Sequence, residues 1–338
     1  MVGKNYFEFA TENGFLGGAD DTFRGLRVDD DGHKANVVTV EPGGIIEGQQ
    51  GPTASGSRAI VRGAEGTVKT YLASKGLLRL LRGTFGDAVI TTPMGATLTR
   101  QYVFTTSNVA SAVSFISYIG REMKNGGVDH DVYEGGQITE FRLAQALLPN
   151  SGASDAGIAK AEWDLNYAKV NRSASAHMSR TYVTPELYYT QGECTLRIGA
   201  SLEDLTDECL NKFDLKVPTE IDVEDNCIRP SVTRDLAVRG GLPAPMLGLG
   251  WTYKNRTYYD AYLDGTILAF QAAWVASDIE IETGHNPSIT VDIPAIQFTG
   301  STPEMGEGKT TQDLPARVLW NETDPMITVT VVTSDTAY

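Results

Sequence analysis

The segment GEGKTT, Gly306 to Thr311, holds residue types that could cradle a phosphate: glycines for close backbone approach, a lysine to neutralise charge, and hydroxyls to meet a metal. Such a loop needs a further glycine five residues before Gly308, and Pro303 stands there. It also needs a helix to start directly afterwards, because the helix N-terminus supplies the anion site. Here QDLP leads only to Pro315. The stretch reads as a Gly-rich surface loop, and nucleotide binding is excluded.

VDDDGH, Val28 to His33, hints at a calcium loop, with Gly32 as the turn glycine and Asp29 and Asp31 in register. That register puts Arg27 at the first ligand position and Val38 at the twelfth, where carboxylates are required. A solvated acidic turn fits better. Asp129-His130-Asp131 offers metal-ligand types in a Gly-rich setting but has no second ligand cluster, so it reads as surface. His33, His130, His177 and His285 form no HExxH pair, and there is no GxSxG elbow. Carboxylates are so numerous that pairing any two as acid and base carries no information.

Tyr253, Lys254, Arg256, Tyr258 and Tyr259 mix aromatic and basic residues as nucleic-acid binders do. Beside Trp251 they are read as packing residues. Cys194, Cys209 and Cys227 are too few and too far apart for a zinc site or a disulfide framework. No catalytic residue, cofactor or metal ligand is expected from these motifs.

The elements that must position whatever this chain does are strands. Its 338 residues can bury a large core; 41% are apolar and 21% charged, with 35 glycines and 14 tyrosines favouring strands and turns. The net charge of −15 argues against gripping nucleic acid by phosphate neutralisation. It is compatible with a surface past which nucleic acid slides, and also with plain solubility. MVGKNYFEFATENG lacks the apolar core of a signal peptide, and no run approaches the ~20 apolar residues of a membrane span, so assembly in the cytoplasm is expected without membrane insertion.

Residues 1–56, rich in Gly and Asp, are expected to form an extended arm. Two β units follow, 57–180 and 181–338, either as separate units or packed into one compact domain. In the first, AIVRGAEGTVKTYL suggests two strands around a turn, and Ser74 can cap a leucine-rich helix ended by Gly83. Phe141 and Leu143 alternate with Glu140 and Arg142, and Trp163, Leu165 and Tyr167 alternate with Asp164 and Asn166. In the second, Ser201 can cap a helix through Leu202, Leu205, Cys209 and Leu210. KFDLKVPTEIDV reads as a strand, TYYDAYLDGTILAF as a helix and strand broken at Gly265, and DIEIE, ITVDI and MITVTVV as strands. Many half-buried strands with few helices predict a mainly β protein, an antiparallel sandwich or barrel.

The two units share an order of parts. SAVSFISYIGREM, DVYEGGQITEFRLAQALLP, a small-residue loop and AEWDLNYAKV echo, more faintly, TYYDAYLDGTILAF, the two alternating strands DIEIE and SITVDIPAIQF, a Gly-rich loop and DLPARVLW. The second set, from Thr257 through ARVLW, resembles the major tail tube protein of long-tailed, non-contractile phages. GTVKTYL with its leucine-rich helix, YEGGQITEFRL and AEWDLNY resemble the same family, so the likeness covers most of residues 58–332.

The resemblance implies a tail-tube-type β-sandwich or barrel with short flanking helices. It implies self-assembly into rings by inter-subunit sheet pairing, and stacking of rings into the virion tail tube, the conduit for DNA ejection. Expected partners are further copies of the chain, the tape measure protein, the tail terminator and tail-tip proteins; DNA passes without sequence-specific binding. No catalytic residues come with the family. Single-unit members suggest six chains per ring, whereas a tandem duplication allows three. Segments 1–56, 121–136 and 300–313 are expected to contact neighbouring rings, and Glu140, Asp164, Asp214 and Asp292 to line the lumen. Two other readings stay open: a carbohydrate-binding β-sandwich or receptor-binding tail component, and the tube of a contractile system.

Overall fold

The computed structural model describes residues 6–40, 45–46, 49–50, 57–106, 113–124, 127–147, 157–172, 181–222, 233–234, 236, 238–239, 244–301, 303–305 and 310–336. The fold is mainly β. Most strands join one large, almost wholly antiparallel sheet, and both α-helices among the described residues are short.

In the first half the main elements are β1 (Tyr6–Thr11), β2 (Arg24–Leu26), β3 (Lys34–Val40), β4 (Arg58–Tyr71), α1 (Leu78–Phe85), β5 (Val89–Thr91), β6 (Arg100–Thr105), β7 (Phe115–Glu122), β8 (Val128–Ala146), β9 (Lys160–Tyr167) and β10 (Lys169–Arg172). In the second they are β11 (Cys194–Gly199), β12 (Leu210–Pro218), β13 (Met246–Thr252), α2 (Thr257–Leu263), β14 (Ile267–Val275), β15 (Ser288–Phe298), β16 (Thr310–Val318) and β17 (Thr328–Thr333). Alternation drives most of them. Trp163, Leu165 and Tyr167 are buried while Glu162 and Asp164 are half-buried; Ile289, Val291 and Ile293 share a buried face, as do Ile327, Val329 and Val331.

The echo between the halves is a repeat of topology. In the first unit the neighbours run β3-β4-β9-β8-β7-β1, and in the second β12-β13-β16-β15-β14-β11. Every pairing in both series is antiparallel, a helix follows β4 and β13, and β10 and β17 return to pair with β8 and β15. The β5–β6 hairpin has no counterpart among the described residues of the second unit.

Among the described residues, two of the pairings that cross residue 180 join long strands, beside a short parallel pairing of Thr181–Tyr182 with β2. Beyond the point where β7 leaves it, β8 takes β12 on the same edge, from Glu140↔Pro218 to Ala146↔Lys212. The gap left there is closed by Thr219, whose hydroxyl donates to the Ile138 carbonyl at 2.6 Å and whose N–H donates to the Thr139 carbonyl at 2.9 Å. The other junction pairs β6 with β17. One buried cluster accordingly holds Trp163 and Phe141 of the first unit together with Phe213, Phe270 and Trp274 of the second.

Several local expectations are corrected. The 1–56 segment is not all arm: the six residues of β1 are buried, Phe7 and Phe9 join the core, and β1 pairs with β7. AIVRGAEGTVKTYL is a single strand of 14 residues, because Gly63 (φ +68) absorbs its turn signal as a bulge opposite β3. Gly83 lies inside α1, which ends at Gly86 (φ +88), and Ser74 bonds Glu186 instead of capping the helix. The helix expected from Ser201 is one turn, since Thr206–Asp207 folds back onto β11 and Leu210 opens β12. DIEIE is a loop held by Asn286, whose side-chain amide donates to the carbonyls of Ala276, Ser277 and Ile279. Much of 121–136 and 310–313 is strand within β7, β8 and β16, not loop. The helix and strand around Gly265 (φ +65) form as expected.

Candidate functional site

The four expected lumen acids are all half-buried and sit on polar sheet faces. Three share one surface. Cross-strand partners run Thr67–Asp164–Glu140–Pro218 across β4, β9, β8 and β12. Alongside runs Lys69–Glu162–Arg142–Lys216–Met246–Arg317–Gln297, crossing from the first unit into the second. Asp214 stands beside this row, opposite Ala144 and Gly248. Asp292 is separate, on β15 between Gln271 of β14 and Thr328 of β17.

Each acid has a different environment. Asp164 accepts the Thr67 hydroxyl at 2.6 Å. Asp214 is held by Arg142 through two bonds of 2.7 Å, and although burial alone would raise its pKa, that grip and the nearby Lys216 and Lys212 keep it below the ordinary value. Asp292 accepts from the Gln271 amide at 2.7 Å, and burial pushes its pKa up against that bond. Gln271 in turn accepts from Arg197, which also binds Asp207.

The shared face is mixed in sign. Lys69, Lys160, Arg142, Lys212, Lys216 and Arg317 stand among Glu162, Asp164, Glu140, Asp214 and Asp313. The net charge of −15 is not concentrated on this face. Acidic residues instead gather in the β11–β12 connection, at Glu203, Asp204, Asp207 and Glu208, and in the β14–β15 connection, at Asp278, Glu280 and Glu282.

The chemistry-bearing motifs resolve into packing. Asp129-His130-Asp131 lies within β8, not in a loop; His130 meets the Tyr6 hydroxyl at 2.7 Å and Asp131 binds Arg121 at 2.8 Å. His33 is buried, its Nε2 2.9 Å from the Tyr167 hydroxyl, which also meets Ser117. Among the described residues no group of three or more His, Cys, Asp or Glu side chains converges as for a metal. Tyr258, the buried residue of α2, packs against Trp251 with ring centres 4.7 Å apart, and Arg256 lies over Tyr259. Burial pushes the Cys194 thiol up to about 12, far from a reactive thiolate. Gly306 to Lys309 and Cys227 lie outside the described residues.

Sequence reasoning missed the edges. β3 pairs only with β4, and Pro303–Met305 only with β16, among the described residues. β5 likewise pairs only with β6, and around it Val89, Ile90, Met94 and Leu98 are exposed, Met94 almost fully. The alternating pattern marks these as strands, but whether a strand is central or terminal depends on pairings distant in sequence. Among the described residues no helix is long and apolar enough to cross a membrane. Compared with models of protein families and with curated proteins, the chain matches none.

Proposed function

We propose that this chain is a structural virion protein, the ring-forming subunit of a phage tail tube through which DNA is ejected into the host cell. The observation that supports this best is the β8–β12 junction, where two units of identical strand order are joined by sheet pairing. A chain that already extends a sheet from one unit to the next has the device a ring needs. Unpaired edges invite association, and continuing a sheet around a closed ring removes them. The duplication favours a ring of three chains carrying six units over one of six chains.

On this proposal the mixed polar face through Arg142 and Lys216 is the conduit surface, with Glu140, Asp164 and Asp214 on it, while Asp292 lies apart from them on β15 of the second unit. Acids interspersed among its cations, Glu162, Glu140, Asp164, Asp214 and Asp313, weaken the grip of this face on a phosphate backbone. The role is architectural, not enzymatic, and its partners are further copies, the tape measure protein, and terminator and tip proteins in the virion tail.

Negative-stain microscopy of the purified chain tests the proposal. Long hollow tubes are expected. Discrete particles that bind glycans would replace it with the receptor-binding alternative. Charge reversal at Glu140, Asp164 and Asp214 together should impair DNA passage and infectivity while tubes still form; unchanged infectivity would remove these residues from the lumen.

A further inference from the structure

The six-strand series of the two units match strand by strand, yet their outer strands differ in what they touch. β12 has partners on both edges, β13 on one side and β8 on the other. Its counterpart β3, with the preceding Asp30–Asp31, has β4 on one side and no second strand partner among the described residues. The acceptor is duplicated too. In the first unit, the C-terminal half of β8 flanks β9 and receives β12 on its far edge. In the second, β15 flanks β16 through Ile296–Phe298, and Pro303–Met305 carries the same path on to Thr310–Gln312. The far edge of Pro303–Met305 has no strand partner among the described residues.

We propose that these two edges are halves of one seam: β3 of one copy adds antiparallel to Pro303–Met305 of a second copy, as β12 adds to β8 within the chain. This rests on the tube reading for its role, but its geometry comes from the internal repeat. The occupant is a second copy because the repeat supplies both donor strand and acceptor edge, and one chain already contains the complete joint. The joined surfaces differ, so the contact is head-to-tail and must close into a ring or run on as a filament. Val37 and Val38, each 49% exposed, lie on the donor strand beside the new seam. Pro303, which lacks an N–H, stands at the first position of the acceptor strand, where proline is tolerated and limits casual pairing.

Cysteine cross-linking tests the seam. In a background with Cys194, Cys209 and Cys227 changed to serine, Val38→Cys and Glu304→Cys are made singly and together, treated with a short bis-maleimide, and run on denaturing gels. Neither single variant should cross-link alone, their mixture should give a dimer band, and the double variant should give a ladder of higher oligomers. The same samples are viewed by microscopy. Tubes without cross-links in the double variant would overturn the seam and leave the tube reading standing. A cross-linked dimer without tubes would support the seam and count against the tube. Absence of both would overturn both. Circular dichroism matching the parent shows that each variant has folded.

Discussion

Arg142 grips Asp214 across the β8–β12 junction with both ends of its guanidinium, Nε to Oδ1 and Nη2 to Oδ2, each at 2.7 Å. The pair spans the joint between the two units, and its planar fork fits only one register of β12 on β8. In a double-mutant cycle of Arg142→Met and Asp214→Asn, the expected coupling at neutral pH is about 1–2 kcal/mol, because the pair is bidentate but Arg142 stays partly solvated. Asp214 is held below the ordinary value of 3.8, so its contribution is present above that pH and is lost as pH falls beneath it. Urea unfolding at pH 7 and pH 3 should show the coupling shrinking in acid. Equal coupling at both would mean the ion pair is not what fixes the register.

Gly83 sets helix propensity against packing. Alanine in a helix interior is favoured over glycine by about 1 kcal/mol. A Cβ at Gly83, however, would lie 2.5 Å from the Phe115 ring and 2.7 Å from Ile138 Cδ1, both buried side chains that cannot swing away. Overpacking of this kind costs about 1–3 kcal/mol. Gly83→Ala should therefore lower the unfolding midpoint, and a raised midpoint would show that the α1–β7 contact is looser than its geometry.

Gly83 also marks how far the chain could be read without its structure. Its type signals a helix end, but only the approach of β7 and β8 requires the missing side chain. Strands whose burial alternates locally were legible: Trp163 to Tyr167 and Ile289 to Ile293 declare their inner face in their own residues. DIEIE has the same pattern and is a loop, because β14 has already ended at Val275 and Asn286 occupies the carbonyls. The helix expected from Ser201 failed for a related reason: pairing with β11 and β8 outweighs the spacing of Leu202 and Leu205. Glu140, Asp164 and Asp214 were placed on a polar face by alternation, but their cationic neighbours Arg142, Lys212 and Lys216 emerge only from register.

Glu282 closes the loop ahead of β6. Its carboxylate accepts the N–H groups of Thr97, Leu98 and Thr99 at 2.7–3.1 Å. Contact with Thr99, followed by the Thr97 N–H, holds its pKa down from 4.5 to about 2. The folded carboxyl resists protonation, so the stabilisation is complete above pH 4.5 and drains away between 4.5 and about 2. Glu282→Gln should lower Tm at pH 7, and the difference from the parent should close by pH 2. A difference independent of pH would assign the effect to shape alone.

Tyr189 carries a buried hydroxyl with no hydrogen-bond partner among the described residues, while its main chain bonds Leu72 and Ala159. Burial raises its pKa, so the group is a neutral, desolvated phenol near pH 7. Tyr189→Phe removes the unsatisfied atom and keeps the ring. Stability should hold or rise by up to about 1 kcal/mol. A loss of that size in urea unfolding would mean that the hydroxyl has a partner, such as an ordered water.

Asp292 tests whether a desolvated charge on β15 costs the fold anything. Burial pushes its pKa above 3.8, and the Gln271 amide only partly offsets this. For an acid whose folded pKa is raised, the ionised form weighs against folding, and stability grows as pH falls through the folded pKa. Asp292→Asn keeps an oxygen for Gln271 and removes the charge. The variant should melt above the parent at pH 7, and the two should converge in acid as the parent carboxyl takes up its proton. A lower Tm for Asp292→Asn at pH 7 would mean that the charge is favoured in place, with Arg197, reached through Gln271, as the group that favours it.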